Sequence, residues 1–93
     1  MEEDFVRARV RVCGRVQGVW FRQATADAAR QAGVTGWVRN LPDGSVEAVF
    51  EGSRAAVDRA IDFASVGPPR AHVESAEVTW EPPAGESGFA IRG

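Results

Sequence analysis

Apolar and polar side chains alternate strictly from Phe5 to Cys13. One face of this segment carries Val6, Ala8, Val10 and Val12, and the other carries Arg7, Arg9 and Arg11. A period of two is typical of a strand with one buried face and one solvated face. The segment is therefore predicted to be a half-buried β-strand. It ends at Cys13, which we interpret as a small buried or rim residue rather than a nucleophile.

Two later stretches have the helical period instead. In the first, the inward positions are Phe21, Ala24, Thr25, Ala28 and Ala32, while Gln23, Asp27, Arg30 and Gln31 face away. In the second, the apolar stripe consists of Val57, Ala60, Ile61 and Ala64. Gly33 is placed to end the first helix in a left-handed turn, and Ser53 is placed to cap the second. Both stretches are predicted to be amphipathic helices, and Gly67-Pro68-Pro69 stops the second.

The segments between and after the helices predict further strands. Strands from Val34 to Asn40 and from Ser45 to Glu51 flank Leu41-Pro42-Asp43-Gly44, whose residue order suits a tight hairpin turn. A later strand places Ala76, Val78 and Trp80 inward and Glu77, Thr79 and Glu81 outward. Because Val73 has the opposite parity, a bulge or an irregular start of the strand is expected near Glu74 and Ser75. A loop from Pro82 to Gly88 then leads to a short edge strand from Phe89 to Arg92.

This order of elements is strand, helix, strand, strand, helix, strand, with a possible fifth strand. It predicts an α+β fold, the ferredoxin-like (split βαβ) sandwich, with two helices on one face of a four- to five-stranded antiparallel sheet. Residues 1–93 are expected to form one domain. The first and third strands are adjacent in this topology, so the arginines of the first strand are expected to face Glu47 and Glu51 in a solvated ladder of ion pairs.

Composition narrows the possible functions. The chain is 44% hydrophobic and 26% charged with a net charge of -2, which is typical of a soluble globular protein and argues against non-specific nucleic-acid binding. The start, Met1-Glu2-Glu3-Asp4, has no apolar run, so neither a signal peptide nor a membrane span is predicted and a cytoplasmic location is expected. One cysteine and one histidine fall short of a structural zinc site, so no metal is predicted. His72 and Cys13 are not expected to be catalytic.

The candidate chemistry lies in the loop between the first strand and the first helix. Gly14 and Gly18 allow the backbone to bend so that amide N–H groups point at an anion, and the helix adds its positive N-terminal end. Arg22, in the first helical turn, has a fork of donors that matches two phosphate oxygens. An ordinary strand-to-helix turn with a surface arginine is the alternative. A nucleotide P-loop does not fit because the chain has no lysine, and a cysteine-phosphatase loop would need an arginine where Val19 stands.

Two long segments resemble one protein family. Gly14-Arg15-Val16-Gln17-Gly18-Val19-Trp20-Phe21-Arg22 is the first, and Gly36-Trp37-Val38-Arg39-Asn40-Leu41-Pro42-Asp43-Gly44-Ser45-Val46, continuing to Gly52, is the second. Gly67-Pro68 with Ala71 and Val73, and the C-terminal Gly88-Phe89-Ala90-Ile91-Arg92, add to the match. The chain resembles, over nearly its whole length, the acylphosphatases, small enzymes that hydrolyse the carboxyl–phosphate bond of acyl phosphates.

The resemblance implies roles for particular residues. The phosphoryl group is expected to bind the loop formed by Arg15, Val16, Gln17, Gly18, Val19 and Trp20. Arg22 is expected to clamp it, and Asn40 to orient the attacking water. Neither arginine nor asparagine removes a proton from water, so catalysis is expected to rest on positioning and charge stabilisation. An acyl phosphate expels a weakly basic carboxylate and needs no general acid. The resemblance thus implies a hydrolase without metal, cofactor or covalent intermediate.

The expected partner is a small acyl phosphate, with no nucleic acid and no membrane, and the chain is expected to be a monomer. Three alternatives remain open. A nucleic-acid module of the same topology would stack bases on sheet aromatics, where this chain places arginine and glutamate. A binding domain without activity would keep the loop. A domain of a carbamoyl-transfer system is the third.

The tryptophans are interpreted in two ways. Trp20, inside the loop, is a candidate to line a substrate entrance, whereas Trp37 and Trp80 are interpreted as packing residues.

Overall fold

The computed structural model describes residues 4–93, which form a five-stranded sheet and two helices. In chain order the elements are β1 (Phe5–Arg15), α1 (Phe21–Ala32), β2 (Thr35–Asn40), β3 (Val46–Ser53), α2 (Arg54–Val66), β4 (His72–Glu81) and β5 (Phe89–Arg92). The strand order is β4-β1-β3-β2-β5. This is the predicted α+β arrangement, with β1 and β3 adjacent at the centre.

The sheet is mixed, so the prediction of a wholly antiparallel sheet is wrong for β5. Strand β5 runs parallel to β2, whereas the other neighbouring strands are antiparallel. The connection explains the direction. The loop of residues 82–88 leaves β4 at the end of the sheet where β2 begins, and it reaches the opposite edge by crossing there. β5 therefore starts beside the start of β2 and follows the same direction.

The core lies between the helices and one face of the sheet. The alternation in β1 places Ala8, Val10 and Val12 in this core, as predicted, and β3 adds Val46, Ala48 and Phe50. In α2 the buried residues are Ala56, Val57, Ala60 and Ala64, and Ser53 caps the helix by accepting a hydrogen bond from the Ala56 amide at 3.2 Å. The capped second helix is confirmed.

The inward face of α1 differs from the prediction. Its buried residues are Phe21, Thr25, Ala26 and Ala29, whereas Ala24, Ala28 and Ala32 are only half-buried. Five alanines are spread around this helix, so several rotations about its axis satisfy the apolar pattern equally well. Packing against the sheet and α2 selects one of them. The left-handed end at Gly33, with φ 80°, is confirmed.

A β-bulge interrupts the pairing of β1 with β4 next to the loop of residues 15–20, which we call the glycine loop. Cys13 pairs with Ser75 and Gly14 pairs with Val73, so Glu74 is the extra residue of β4, as predicted. Strand β1 continues to Arg15 rather than ending at Cys13. Gly14 has φ 124°, and a Cβ there would lie 2.2 Å from the carbonyl oxygen of His72. Only glycine fits at this position, one residue before the end of β1.

The face of the sheet without helices carries the predicted ion pairs, but the ladder is not wholly solvated. Arg7 and Glu51 are buried, and their side chains meet at 2.7 Å. Glu51 also accepts hydrogen bonds from the amides of Ala84, Gly85 and Glu86, at 2.7, 3.1 and 3.1 Å. The 82–88 loop therefore folds over this end of the sheet and excludes water from the pair.

The other ladder pairs are nearer to solvent. Arg9 meets Glu47 at 3.0 Å and Glu81 at 2.7 Å, and Arg11 pairs with Asp43. Trp37 is a packing residue, as predicted, and three guanidinium groups, those of Arg9, Arg39 and Arg92, lie over its ring at 4.6 to 5.6 Å from the centroid. The prediction that Trp80 faces inward is wrong, because Trp80 is 45% exposed and its ring is covered in part by the Arg54 guanidinium, at 4.4 Å. Neither helix of residues 4–93 combines the length and apolar character that a membrane-spanning helix needs.

Candidate active site

An open cleft of about 460 Å³ lies where α1 begins. Its lining residues are Val16, Gly18, Trp20, Phe21, Arg22, Gln23, Asn40 and Ile91. They come from the glycine loop, the first turn of α1, the end of β2 and the end of β5. Arg22 is the one lining residue that carries a formal charge, so the cleft is electropositive and suited to an anion.

The backbone dihedral angle φ alternates in sign along the glycine loop. Gly18 has φ 70° and Trp20 has φ 69°, while Val19 between them has a negative φ. Trp20 is the one non-glycine residue among residues 4–93 with a positive φ. Residues of alternating hand turn successive amide N–H groups toward one side, which is the geometry of an anion-binding nest.

Helix α1 begins without a side-chain cap. Its N-cap residue is Trp20, which makes no capping hydrogen bond, and the first turn holds no acidic residue. The first helical hydrogen bond runs from the Ala24 amide to the Trp20 carbonyl oxygen at 3.0 Å. The preceding amides of the first turn therefore have no capping side chain to accept from them, and the positive end of the helix dipole faces the cleft. An anion in the cleft would accept hydrogen bonds from these amides and would interact favourably with the helix dipole.

Arg22 is held by a backbone carbonyl rather than by a carboxylate. Its Nη1 donates to the carbonyl oxygen of Arg92 in β5 at 3.2 Å, and it forms no salt bridge within residues 4–93. A neutral acceptor fixes the position of the guanidinium but leaves its charge uncompensated. The remaining donors of its fork are thus left for a ligand.

Asn40, the last residue of β2, points its side chain into the same region. Its Oδ1 is buried and has no hydrogen-bond partner in the part of the chain that the structure describes. Leaving a buried amide oxygen unpaired costs about 1–3 kcal/mol. Such an atom beside a cleft is a functional candidate, because a ligand or substrate water that donates to it would remove that cost.

Gln17 connects the two parts of the site. Its Nε2 donates to the carbonyl oxygens of Leu41 and Ser45, at 2.8 and 2.9 Å, which lie at the two ends of the β2–β3 turn. The turn itself closes as predicted, with the Gly44 amide donating to the Leu41 carbonyl oxygen at 3.1 Å. The glycine loop is thereby tied to the residue that follows Asn40.

The cleft brings together five of the eight residues expected from the resemblance: Val16, Gly18, Trp20, Arg22 and Asn40. Arg15, Gln17 and Val19 do not line it. Arg15 is the last residue of β1 and lies opposite His72, and Val19 packs against the core. The side chain of Val16 is also buried in the core, so only its backbone is free for a ligand. Neither His72 nor Cys13 lines the cleft.

Phe21, Gln23 and Ile91 line the cleft without having been expected there. Phe21 and Gln23 flank Arg22 at the start of the helix, so their place in the cleft could have been predicted from the sequence. No feature of the sequence predicts the place of Ile91, because it lies near Arg22 only through the parallel pairing of β5 with β2. Among residues 4–93, no group of three or more His, Cys, Asp or Glu side chains is placed to hold a metal ion.

Comparison with known proteins shows the family to which the chain belongs. The sequence profile described as Acylphosphatase matches residues 8–91. The chain belongs to the acylphosphatase family. A relative from Anaeromyxobacter dehalogenans, named acylphosphatase, is 59% identical over 90 residues, covering 96% of this chain and 97% of its own length.

Solved structures agree with the family assignment. An acylphosphatase from Coxiella burnetii is similar with a TM-score of 0.91 and 34% identity, covering 96% of this chain and 94% of its own. An acylphosphatase from Bacillus subtilis is similar with the same TM-score of 0.91 and 34% identity, covering 95% of this chain and 99% of its own. Both similarities span the fold and not only the loop.

Proposed function

We propose that the protein hydrolyses acyl phosphates to a carboxylate and inorganic phosphate, and that the reaction takes place in the cleft at the start of α1. Family membership supports the reaction. The observation that carries the location is the convergence of three unsatisfied groups on one cleft: the uncompensated charge of Arg22, the uncapped start of α1 and the buried Oδ1 of Asn40.

The phosphoryl group binds at the electropositive end of the cleft. Backbone amides of the loop 15–20 and of the first helical turn donate to its oxygens, and the free donors of Arg22 bind two of them. These contacts strengthen as charge spreads over the phosphoryl oxygens in a loose transition state. The bond between Arg22 and the Arg92 carbonyl holds the fork in place beforehand, so little reorganisation is needed during the reaction.

The attacking water is oriented by Asn40. The buried Oδ1 accepts one of the water's hydrogen bonds, which directs the water oxygen at phosphorus. As the new phosphorus–oxygen bond forms, the bond from phosphorus to the bridging oxygen breaks, and the carboxylate leaves with its electron pair. The proton from the water passes to an oxygen of the transferred phosphoryl group. No side chain acts as an acid or base, because amide and guanidinium groups do neither.

Phosphate release from acetyl phosphate and benzoyl phosphate in the presence of a chelator tests the reaction. Turnover is expected with both substrates, and inorganic phosphate is expected to compete with them. Arg22→Ala is expected to keep only weak turnover, and inorganic phosphate is expected no longer to compete with the substrate. Arg59→Ala is the control, because Arg59 is an arginine that likewise forms no salt bridge within residues 4–93, but it is exposed on α2, away from the cleft lining. Unchanged phosphate competition in Arg22→Ala would refute the location.

We also propose that one chain is the catalytic unit. The groups proposed to act on the substrate, the loop amides, Arg22 and Asn40, meet in one cleft of the chain, so the proposed reaction needs no residue of a second copy. Light scattering on active protein is expected to give the chain mass of 10.0 kDa. A larger particle that loses activity on dilution would contradict this.

A further inference from the structure

Two large apolar side chains are exposed inside the cleft. Trp20 is 71% exposed and Ile91 is 38% exposed, and both line the same space as Arg22 and Asn40. The other exposed large apolar residues, Phe5, Val66, Val78 and Trp80, lie outside the cleft lining. Apolar side chains that line a ligand cleft favour binding of an apolar ligand group, because such a group removes their surface from water. The position of these two side chains therefore points to an apolar ligand group.

The backbone of Trp20 supports a functional reason. A bulky residue with φ 69° is held in the left-handed region against its steric preference, and such conformations concentrate at ligand sites. Burial of the indole does not account for this conformation, since most of the ring is exposed. Trp20 thus combines a left-handed backbone with an exposed indole in the lining of the cleft.

The cleft is larger than a phosphoryl group requires. A water molecule takes up about 30 Å³ in the liquid, and the few heavy atoms of a phosphoryl group take up only several times that volume. The volume of about 460 Å³ leaves room for a substituent. In an acyl phosphate the substituent follows directly after the bridging oxygen. A phosphoryl group held by Arg22 therefore places the acyl carbon near the apolar part of the lining.

We propose that Trp20 and Ile91 form an acyl-group subsite that favours flat, apolar acyl groups, such as an aromatic acyl, over the acetyl group. This inference rests on the proposed function. Trp20 supplies a ring face or edge from the loop, and Ile91 supplies an aliphatic wall from β5. An aromatic acyl group covers both, whereas the single methyl group of acetyl phosphate covers little of either.

The test compares kcat/KM for benzoyl phosphate and acetyl phosphate in wild type, Trp20→Ala, Trp20→Phe and Ile91→Ala. Trp20→Ala is expected to lower the benzoyl-to-acetyl ratio about tenfold, the rate equivalent of one aromatic contact. Ile91→Ala is expected to lower it by about threefold through the smaller aliphatic area. Trp20→Phe is expected to keep most of the ratio. Trp80→Ala is the control, since Trp80 is 45% exposed on β4, and its ratio is expected to stay at the wild-type value.

Trp20→Gly separates the side chain from the backbone. Glycine adopts φ 69° without strain, so the loop keeps its shape, yet the ratio is expected to fall as in Trp20→Ala. The inhibition constant of inorganic phosphate is measured in every variant and reports the phosphoryl end alone. Equal losses for both substrates in Trp20→Ala and Trp20→Gly, with the ratio unchanged, would overturn the subsite while leaving the proposed reaction intact. Absence of turnover with both substrates in wild type would overturn both.

Discussion

Arg22 and Asn40 lie in one cleft but contact different parts of the reacting system. Arg22 is proposed to bind the phosphoryl group in both the ground state and the transition state, so Arg22→Ala is expected to raise KM and lower kcat together. Arg22→Lys keeps a positive charge but loses the planar fork, and it is expected to recover only part of the loss. Steady-state kinetics with benzoyl phosphate measure both effects. Wild-type KM in Arg22→Ala would contradict the clamp.

Asn40 is proposed to contact mainly the water. Asn40→Ala is expected to lower kcat by about 10² or more, by analogy with losing one oriented polar group in an active site, while KM and the inhibition constant of phosphate stay nearly unchanged. Asn40→Asp places a negative charge beside the bound phosphoryl group and is expected to weaken phosphate binding as well. A near wild-type kcat in folded Asn40→Ala would reduce Asn40 to a residue of the hairpin.

The stability of the same variant gives an independent readout. Because the Oδ1 of Asn40 is buried without a partner in residues 4–93, removing it is expected to leave the free energy of unfolding unchanged or to raise it by up to about 1 kcal/mol. Denaturant titration measures this. A large loss of stability would mean that Asn40 holds the fold rather than the water.

At the scale of elements, the site depends on how the glycine loop is fixed to the β2–β3 turn. Gln17 makes both hydrogen bonds of that connection, to the carbonyl oxygens of Leu41 and Ser45. Gln17→Ala is expected to cost about 1–2 kcal/mol of stability, for two net hydrogen bonds, and to lower kcat because loop and Asn40 lose their relative position. Gln31→Ala, on the exposed side of α1, is the control. Full activity in Gln17→Ala would show that the loop holds its shape unaided.

The β4–β5 loop depends on Glu51 in a similar way. Glu51 is wholly buried, and it binds Arg7 and the amides of Ala84, Gly85 and Glu86. Glu51→Gln removes the charge that compensates buried Arg7, and it is expected to cost about 3 kcal/mol. Glu47→Gln is the matched control on the same strand, with an expected cost below about 1 kcal/mol because its partners are nearer to solvent. Equal losses of stability in Glu51→Gln and Glu47→Gln would show that burial of the Arg7–Glu51 pair does not determine the cost.

For the whole molecule, these buried and half-buried carboxylates couple stability to pH. Burial by itself would raise the pKa of Glu51, but the Ala84 amide, Arg7 and the neighbouring amides together lower it below its ordinary value of 4.5. Hydrogen bonds from Arg9 and Arg7 lower the pKa of Glu81 from the same ordinary value. A carboxyl with a lowered folded pKa stabilises the fold above its unfolded pKa. That stability is lost as pH falls through the folded value.

The free energy of unfolding is therefore expected to be flat above about pH 5 and to fall steadily below about pH 4.5. Denaturant titrations at a series of pH values measure the slope. Glu51→Gln is expected to be less stable at neutral pH and to show a shallower decline in acid, because it has one fewer carboxylate to protonate. A variant whose decline is as steep as that of wild type would show that Glu51 does not contribute to the acid sensitivity.

Local patterning by itself determined most of the fold. The alternation in β1, the stripe of α2, the hairpin turn at Leu41-Pro42-Asp43-Gly44 and the bulge at Glu74 were all predictable, because each depends on neighbours within a few residues. Two long motifs also indicated the family and nominated Arg22 and Asn40. Those nominations are still proposals about function, although the two residues do line one cleft.

Only the tertiary structure decided which faces and edges meet. The rotation of α1 was ambiguous because alanine surrounds the helix, and packing against α2 and the sheet resolved it. The direction of β5 follows from where the 82–88 loop crosses the sheet, and the burial of Arg7 and Glu51 follows from that same loop. Ile91 reaches the cleft, and the Arg92 carbonyl reaches Arg22, only through this long-range pairing. Such contacts join residues far apart in the chain, so no local period or turn preference specifies them.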